Sequence, residues 1–240
     1  FEFEVKGGER AWQTGITALS KIAKTYVGVG SNQSAPALLQ TKDAEVNIFK
    51  GKCPAGNVGV QVNNIDPVNK GEVVWTVDPS AVIFFGRLFN TGKVNLTRTV
   101  AIAGSEVNEN AYVDALVGQQ LTVNAGANAR VIMGNPLTGK VVAVTNEASA
   151  VKVIIGAHCS EVTVIPDGNN VDEILGWIMP RFGQFSANRS YFSWLFGKKN
   201  YNLDARIKGG ERHMIMSGEY DSVLPMYIYG EYLIKAIITG

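Results

Sequence analysis

The sequence is poor in the residues that most often carry metal, redox or covalent chemistry. Its 240 residues include two cysteines, Cys53 and Cys159, and two histidines, His158 and His213. Two cysteines exclude a disulfide framework and fit a reducing compartment. Neither cysteine lies in a C-x-x-C motif, the adjacent His158 and Cys159 lack metal-ligand spacing, and there is no G-x-S-x-G motif. We therefore expect no zinc site, no iron–sulfur cluster and no catalytic nucleophile in this chain.

The sequence also lacks an excess of charge and long apolar runs. Lys and Arg number 22 and Asp and Glu 21, which gives a net charge of +1. Nucleic acid is not an expected partner, because a protein that binds it needs a basic surface. The longest apolar runs, such as Ala81–Phe85, are far shorter than the ~20 residues of a membrane helix. Lys235 interrupts the apolar segment Tyr232–Ile238. We expect no transmembrane span and contact with a membrane only from the aqueous side.

Strand and helix patterns alternate through the N-terminal part of the chain. The predicted elements are a strand over Phe1–Val5, a helix over Glu9–Lys24, a strand over Tyr26–Gly30, a short helix at Leu38–Leu39 and a strand over Ala44–Phe49. Gly51–Gly56 has the composition of a turn. The opening strand pattern already begins at the first residue, which is not a methionine, so we interpret the sequence as a piece of a longer protein.

The stretch Val82–Gly104 reads as the end of a strand, an amphipathic helix and then the apolar strand Thr97–Gly104. Asp78 and Pro79 suit the start of a helix, and Gly92 suits its end. Parallel strands require crossover connections, which are usually helices. The order of elements therefore predicts a parallel α/β sheet.

One loop resembles part of a dinucleotide-binding motif. Gly28–Gln33 follows a short strand, but Gln33 stands where the third glycine of G-x-G-x-x-G would be, and no good helix begins there. We interpret it as a tight backbone turn rather than a phosphate-binding loop.

From Glu106 the pattern changes to short alternating strands separated by frequent turns. A helix over Asn110–Val117 is predicted to lie across them, forming a compact α+β module that Pro166–Gly168 closes. The predicted strands are Leu121–Val123, Ala129–Met133, Val141–Val144, Val151–Ile155 and Glu161–Ile165.

The last part of the chain is rich in glycine and aromatic residues and ends in an apolar helix from about Pro225 to Ile238. Its aromatic residues either form a local core or make a partner-docking face, for which Arg181 and Arg189 would be suitable neighbours. A cleft of this kind would also accept a flat, apolar quinone ring. The aromatic residues are Trp177, Phe182, Phe185, Tyr191, Phe192, Trp194 and Phe196.

Several motifs are spread along the chain: Lys52–Gly56, Ile65–Val68, Trp75–Val77, Phe85–Gly92, Arg130–Gly139, Leu175–Ile178, Gly209–Arg212 and Tyr220–Met226. Together these motifs resemble one protein family, the NqrA subunits of the bacterial sodium-translocating NADH:quinone reductase. The resemblance covers essentially all 240 residues in order and corresponds to the middle of that subunit, without its N-terminal region and C-terminal tail. Cys53 stands where the family usually has a histidine, so a role of that histidine does not transfer here.

The resemblance implies a fold like that of the NADH- and FMN-binding subunit of respiratory complex I. A Rossmann-like α/β domain would cover residues 1–105, and a β-grasp domain of the soluble-ligand-binding type residues 106–166. The aromatic-rich segment, residues 167–240, would end in a helix that packs back on the core.

The resemblance also implies a function. The family's complex oxidises NADH, reduces ubiquinone to ubiquinol and exports Na+. This subunit would be peripheral, on the cytoplasmic face of the bacterial inner membrane, and would dock on other subunits, chiefly a membrane subunit. It would carry no redox cofactor of its own and no catalytic residue, with flavins and an iron–sulfur cluster in other subunits. The candidate residues for contact with ubiquinone or a partner are Phe84, Phe85, Arg87, Trp177, Arg181 and Trp194.

Two alternatives remain open at the level of the sequence. The chain could be a flavin- or NADH-binding oxidoreductase subunit, like its relative in complex I. It could also contain an isolated β-grasp module that binds a free small ligand, which would raise its melting temperature in a saturable way.

Overall fold

The computed structural model describes residues 2–51, 53–168, 178–180, 182–185, 191–196, 200–202, 204–206 and 218–240. The chain divides into two compact units. Unit 1 comprises Phe1–Asn95 and Arg212–Gly240, and unit 2 comprises Leu96–Glu211.

Unit 1 contains a small parallel sheet with helices before, between and after its strands. The strands β1 and β2 pair in parallel from Tyr26 opposite Glu45 to Gly30 opposite Phe49. The elements are α1 (Glu2–Val5), α2 (Glu9–Ser20), β1 (Tyr26–Gly30), α3 (Pro36–Leu39), β2 (Glu45–Phe49), α4 (Val58–Ile65) and α5 (Pro79–Thr91). This confirms the predictions for α2, α3 and both strands, whereas α4 was not predicted.

The predicted strand at the start of the chain is wrong, because Glu2–Val5 is a helical turn. Tertiary contacts explain the difference. Val5 is 2% exposed within the core of unit 1, and the Ser80 hydroxyl donates a 2.6 Å hydrogen bond to the Glu4 carboxylate. A five-residue alternation of apolar and acidic residues is too short to choose between strand and helix.

The contact between α2 and α5 organises the core of unit 1. Gly15 and Gly86 lie where the two helices touch: a Cβ on Gly86 would overlap the backbone carbonyl of Ala11, and one on Gly15 would overlap that of Val82. This close approach brings one face of each helix against the sheet. The buried residues of this core are Val5, Ala11, Trp12, Ile16, Val27, Val29, Leu38, Val82 and Ile83.

Residues Val82–Phe85 lie inside α5, so their prediction as the end of a strand is wrong. The predicted cap and stop of this helix are confirmed. The Asp78 side chain accepts a hydrogen bond from the Ser80 backbone N–H, and Gly92 has the left-handed conformation (φ 69°) that ends many helices.

Unit 2 is built mainly from strands. A five-stranded sheet has the order β4-β3-β9-β6-β7, in which β3 and β9 are parallel and the other neighbours antiparallel, and β5 and β8 form a separate antiparallel pair. The strands are β3 (Thr97–Ala103), β4 (Ala111–Leu116), β5 (Gln120–Ala125), β6 (Ala129–Met133), β7 (Lys140–Val144), β8 (Ser149–Ile154) and β9 (Glu161–Pro166). Buried residues of both sheets share one core, among them Val100, Val123, Val131, Val153 and Val164.

Two predictions for this region are corrected by strand pairing. The helix predicted over Asn110–Val117 is the strand β4, which pairs with β3 along its whole length. Its half-buried Val113 and buried Ala115 alternate with exposed neighbours, and this period of two belongs to a strand. Strand β3 pairs with β4 and β9 rather than with β1 or β2, so Val82–Gly104 is not a βαβ unit of one parallel sheet.

The remaining helices are short. They are α6 (Ser193–Phe196), α7 (Glu219–Val223) and α8 (Gly230–Thr239). The terminal helix therefore exists as predicted, but it begins at Gly230 rather than near Pro225.

The contact at Gly86 gives a direct test of the core of unit 1. Gly86→Ala forces a methyl group against the carbonyl of Ala11, and because that obstacle is backbone, the helices must move apart. Overpacking of this kind costs ~1–3 kcal/mol, and we expect a loss near the upper value in the free energy of unfolding, measured by denaturant titration.

The matched control is Gly59→Ala in α4, where a Cβ would meet no atom within 4 Å. Replacing a helical glycine by alanine there should be neutral or stabilising by up to about 1 kcal/mol. Equal losses in the two variants would contradict the role given to the α2–α5 contact.

Candidate functional site

The carboxyl end of β1 is where an open α/β sheet most often binds a ligand. Here the loop after β1 closes on itself. The Gln33 N–H donates to the Gly30 carbonyl at 2.9 Å, and the Gln33 side-chain oxygen accepts from the N–H groups of Ser34 and Ala35 at 2.9 and 3.0 Å. These donors at the start of α3 are the kind that a phosphate group would use. The interpretation of Gly28–Gln33 as a tight turn is confirmed.

The amino end of α5 is likewise occupied by groups of the chain itself. Asp78 accepts from the Ser80 N–H at 2.8 Å, and Ser80 in turn donates to the Glu4 carboxylate. Pro79 has no backbone N–H to offer. Two carboxylates at a helix N-terminus stabilise its dipole and would repel a phosphate.

The outer face of α5 carries an exposed apolar stripe formed by Phe85, Leu88 and Phe89. These side chains are 42%, 38% and 66% exposed, although they are large and apolar. Their i, i+3, i+4 spacing places them side by side on the helix, on the flank next to the buried Val82, which Phe85 follows by three residues and Phe89 by seven. Aromatic and aliphatic side chains grouped in this way are typical of a surface that another molecule covers.

The structure changes the location expected for three of the candidate residues. Phe84, Phe85 and Arg87 lie inside helix α5 and not at the end of a strand, and of these Phe85 is exposed whereas Phe84 and Arg87 are half-buried. Sequence reasoning omitted Leu88 and Phe89 from the site. Their helical spacing from Phe85 was the signal that could have found them.

A second exposed apolar face lies on α8. Leu233 and Ile237, one helical turn apart, are 50% and 72% exposed. Glu231 at the start of this helix is buried, and its carboxylate accepts a 2.7 Å hydrogen bond from the Gly218 N–H. The buried Glu231 connects α8 to the start of α7, while the apolar side of α8 remains exposed to solvent.

In unit 2 two pairs of aromatic rings are in contact, and three of these four rings remain exposed. The rings of Phe182 and Phe192 stack with centroids 6.1 Å apart, and those of Phe185 and Tyr201 meet edge to face at 5.6 Å. Phe182, Phe185 and Phe192 are each more than half exposed, and Trp194 is 46% exposed. The candidates Trp177 and Arg181 lie outside the described residues, as does Arg189.

The family motif Arg130–Gly139 has structural roles at both of its ends. Arg130 forms a 2.7 Å ion pair with Asp167, whose side chain is 3% exposed, and so joins β6 to the end of β9. In the turn that follows β6, the Asn135 side chain accepts from the N–H groups of Leu137 and Thr138, both at 2.9 Å. These contacts stabilise strand ends and a turn, and they do not indicate a ligand site.

The two thiols differ in their surroundings. Cys53 is exposed, whereas Cys159 is buried and burial raises the pKa of its thiol. In the described ranges, no three His, Cys, Asp or Glu side chains are grouped so that they could hold a metal ion.

Comparisons with known proteins identify relatives over nearly the whole chain. A family model described as "NqrA second alpha/beta domain" matches residues 1–94. The NqrA protein of the Na(+)-translocating NADH-quinone reductase of Pasteurella multocida is 33% identical over 98% of this chain and 52% of its own length. This chain belongs to the NqrA family. The corresponding protein of Neisseria meningitidis is 30% identical over 98% of this chain and 53% of its own length, and that of Haemophilus influenzae 33% over 94% and 50%.

The resemblance stated from the sequence motifs is thus confirmed. The chain spans about half the length of the curated NqrA relatives it matches. In the part of the chain that the structure covers, no helix is both long enough and apolar enough to cross a bilayer.

Proposed function

We propose that this chain is a docking part of NqrA in a respiratory sodium pump that oxidises NADH, reduces ubiquinone to ubiquinol and exports Na+. It acts as a peripheral component on the cytoplasmic face of the bacterial inner membrane. It carries no redox cofactor of its own and binds other subunits of the complex, chiefly a membrane subunit. Membership of the NqrA family supports the assignment to the sodium pump, and the apolar stripe on α5 supports the docking role.

The stripe carries the proposal because the apolar surface of α5 is wider than the part that the rest of unit 1 covers. Helix α2 covers the side of Val82, Ile83 and Gly86, whereas Phe85, Leu88 and Phe89 on the adjoining flank are open. Aromatic residues are enriched in the buried centres of protein interfaces. With a net charge of only +1, apolar contact rather than charge attraction would supply most of the affinity.

The finer fold assignment is part of the same proposal. Because β3 pairs with strands of unit 2, we move the boundary expected at residue 105 to residue 95, and assign the Rossmann-like domain to residues 1–95 and the β-grasp domain of the soluble-ligand-binding type to residues 96–166. Residues 167–240 form the aromatic-rich segment with the terminal helix. The parallel β1–β2 pair between helices supports the first assignment, and the compact β unit supports the second.

The docking role predicts a specific loss when the stripe is made polar. In full-length NqrA expressed with the other subunits, the double substitution Phe85→Asp and Phe89→Asp places two carboxylates where an apolar partner would lie. We expect at least a tenfold weaker retention on a tagged membrane subunit, or about 1.4 kcal/mol. Both side chains are exposed, so the variant protein itself should fold and keep its melting temperature.

The matched control is Leu137→Asp, which changes an 89% exposed side chain in a turn of unit 2. Its retention should equal that of the parent. Unchanged retention of the Phe85/Phe89 variant would remove the docking role from α5.

We also propose that NqrA helps to shape the environment of ubiquinone. The stripe on α5 and the half-exposed rings of Phe182, Phe192 and Trp194 are surfaces that a flat apolar ring could contact. Photo-crosslinking of the intact complex with a quinone analogue should label Phe84–Phe89 or the region between Trp177 and Tyr201. Labelling that falls entirely elsewhere would remove quinone contact from the proposal.

The alternative function, a flavin- or NADH-binding subunit, differs in a simple observable. The donors after β1 and the start of α5 are satisfied within the chain, which supports a frame without a bound nucleotide. The purified protein should therefore show no flavin absorption near 450 nm, a wavelength set by the flavin itself and roughly constant among flavoproteins. A yellow protein with one flavin per chain would establish the alternative.

A further inference from the structure

The segment after α4 has the composition of a strand but no partner strand among the described residues. Residues Val73–Val77 comprise three valines, a tryptophan and a threonine, all of which favour strands. Val73 and Trp75 are 78% and 86% exposed. No backbone hydrogen bond links any of these five residues to another described residue. We call this segment the 73–77 tract.

Strand β1 has one open edge. It pairs with β2 alone in the described part of the chain, and the bonds at its two ends, from Glu45 N–H to Thr25 carbonyl and from Ser31 N–H to Phe49 carbonyl, show which residues face β2. In a parallel ladder alternate residues face the same neighbour, so the backbone groups of Tyr26 and Gly28 point to the other edge.

The burial of the two strands indicates that β1 should be internal. Val27 and Val29 of β1 are 5% and 4% exposed, whereas Ile48 of β2 is 64% exposed. Gly28, on the opposite face of β1, is covered by the Gln61 side chain of α4, because a Cβ there would overlap the Gln61 amide. A strand with helices on both faces is typical of the middle of a parallel sheet.

Contacts of α4 show where the chain enters the 73–77 tract. Gln61 lies over Gly28, and Asp66, just after the helix, accepts a 2.9 Å hydrogen bond from the Tyr26 hydroxyl. Helix α4 therefore runs from the middle of β1 towards its amino end. The chain leaves α4 beside the first residue of β1.

Contacts of α5 show where the chain leaves the tract. Thr14 of α2 donates to Asn90 of α5 at 3.0 Å, Ala11 touches Gly86, and Gly8 lies beside Ile83, so the two helices run in the same direction. Since α2 ends shortly before the amino end of β1, both helices begin near its carboxyl end. The 73–77 tract must then run from the amino to the carboxyl end of the sheet, parallel to β1.

We infer that the 73–77 tract is the third strand of this sheet and docks on the open edge of β1, giving the order β2-β1-tract. The handedness rule agrees. Helix α3, whose Leu38 lies in the α2–α5 core, connects β1 to β2 on one face, and α4 returns across β1 on the other face. The connection from β1 to β2 moves along the sheet in one direction, with its helix on one face. The connection from β2 to the tract moves in the opposite direction, with its helix on the other face, so both crossovers are right-handed. The inference rests on contacts within unit 1 and not on the proposed function.

Site-resolved amide hydrogen exchange of the protein tests this arrangement. If the tract docks on β1, the amides of Tyr26 and Gly28 and alternate amides of the 73–77 tract should exchange at least about 100-fold more slowly than in an unfolded chain. Exchange at the unfolded rate for Tyr26 and Gly28 would overturn the inference.

Two proline variants identify the strand that protects β1. Trp75 and Thr76 are neighbours, so only one of their N–H groups can face β1. One of the variants Trp75→Pro and Thr76→Pro should therefore raise the exchange rates of the Tyr26 and Gly28 amides at least about tenfold. The other should change these rates little, because proline is tolerated on an outward edge. Val27 and Val29, which bond to β2, should stay protected in both variants and show that unit 1 is folded.

The valine variants Trp75→Val and Thr76→Val are the matched controls, because they retain the backbone N–H and the preference for a strand. They should behave like the parent. Protection of Tyr26 and Gly28 that neither proline affects would mean that another strand covers β1, and would overturn the inference.

Discussion

The close contact of α2 and α5 at Gly15 and Gly86 determines most of what unit 1 can do. Only hydrogen atoms separate the backbones there, so the two helices share one buried face and hold Trp12, Ile16 and Ile83 against the valines of β1. Helix α5 has no freedom to turn its other side inward. The apolar stripe of Phe85, Leu88 and Phe89 therefore remains at the surface as a consequence of packing rather than as a separate feature.

The same contact fixes the direction of α5 and with it the use of the helix ends. Both α2 and α5 begin near the carboxyl end of β1, the position where nucleotide-binding folds place a phosphate. In this chain Asp78 and Glu4 lie at the start of α5, and Gln33 takes the first donors of α3. At both helix starts the backbone donors are thus satisfied by neighbouring side chains of the same chain. That chemistry agrees with a protein used for its surfaces.

The sequence predicted the elements whose signals are local. Strand β6 has the predicted bounds Ala129–Met133, and the cap of α5 at Asp78 and its end at Gly92 were recognised from residue types that act within a few positions. The failures have non-local causes. Residues Ala111–Leu116 form a strand because β3 offers a complementary edge, and β3 joins a different sheet from the one its spacing suggested. Neither pairing partner can be identified from a short window of sequence.

In the candidate site, too, only the part with a local signal could be found from the sequence. Phe85 was selected from the sequence as a candidate for contact with ubiquinone or a partner, but Leu88 and Phe89, which lie in the same family motif, join it only once α5 is known to bury Val82 and Ile83. Which residues of an apolar helix stay exposed depends on its partner, and in α5 the exposed Phe85 and Phe89 lie on the same flank as the buried Val82. Helix α8 poses the same question with Leu233 and Ile237.

A two-stranded parallel sheet leaves both of its strands with an unpaired edge, and pairs of strands this small gain little stability by themselves. Unit 1 compensates with helices on both faces of β1, which is an arrangement suited to a wider sheet. The valine-rich 73–77 tract, the buried β1 and the exposed stripe on α5 therefore have a common origin. Each presents more apolar surface than the described part of unit 1 covers, and an additional strand and a protein partner are the two physical means of covering it.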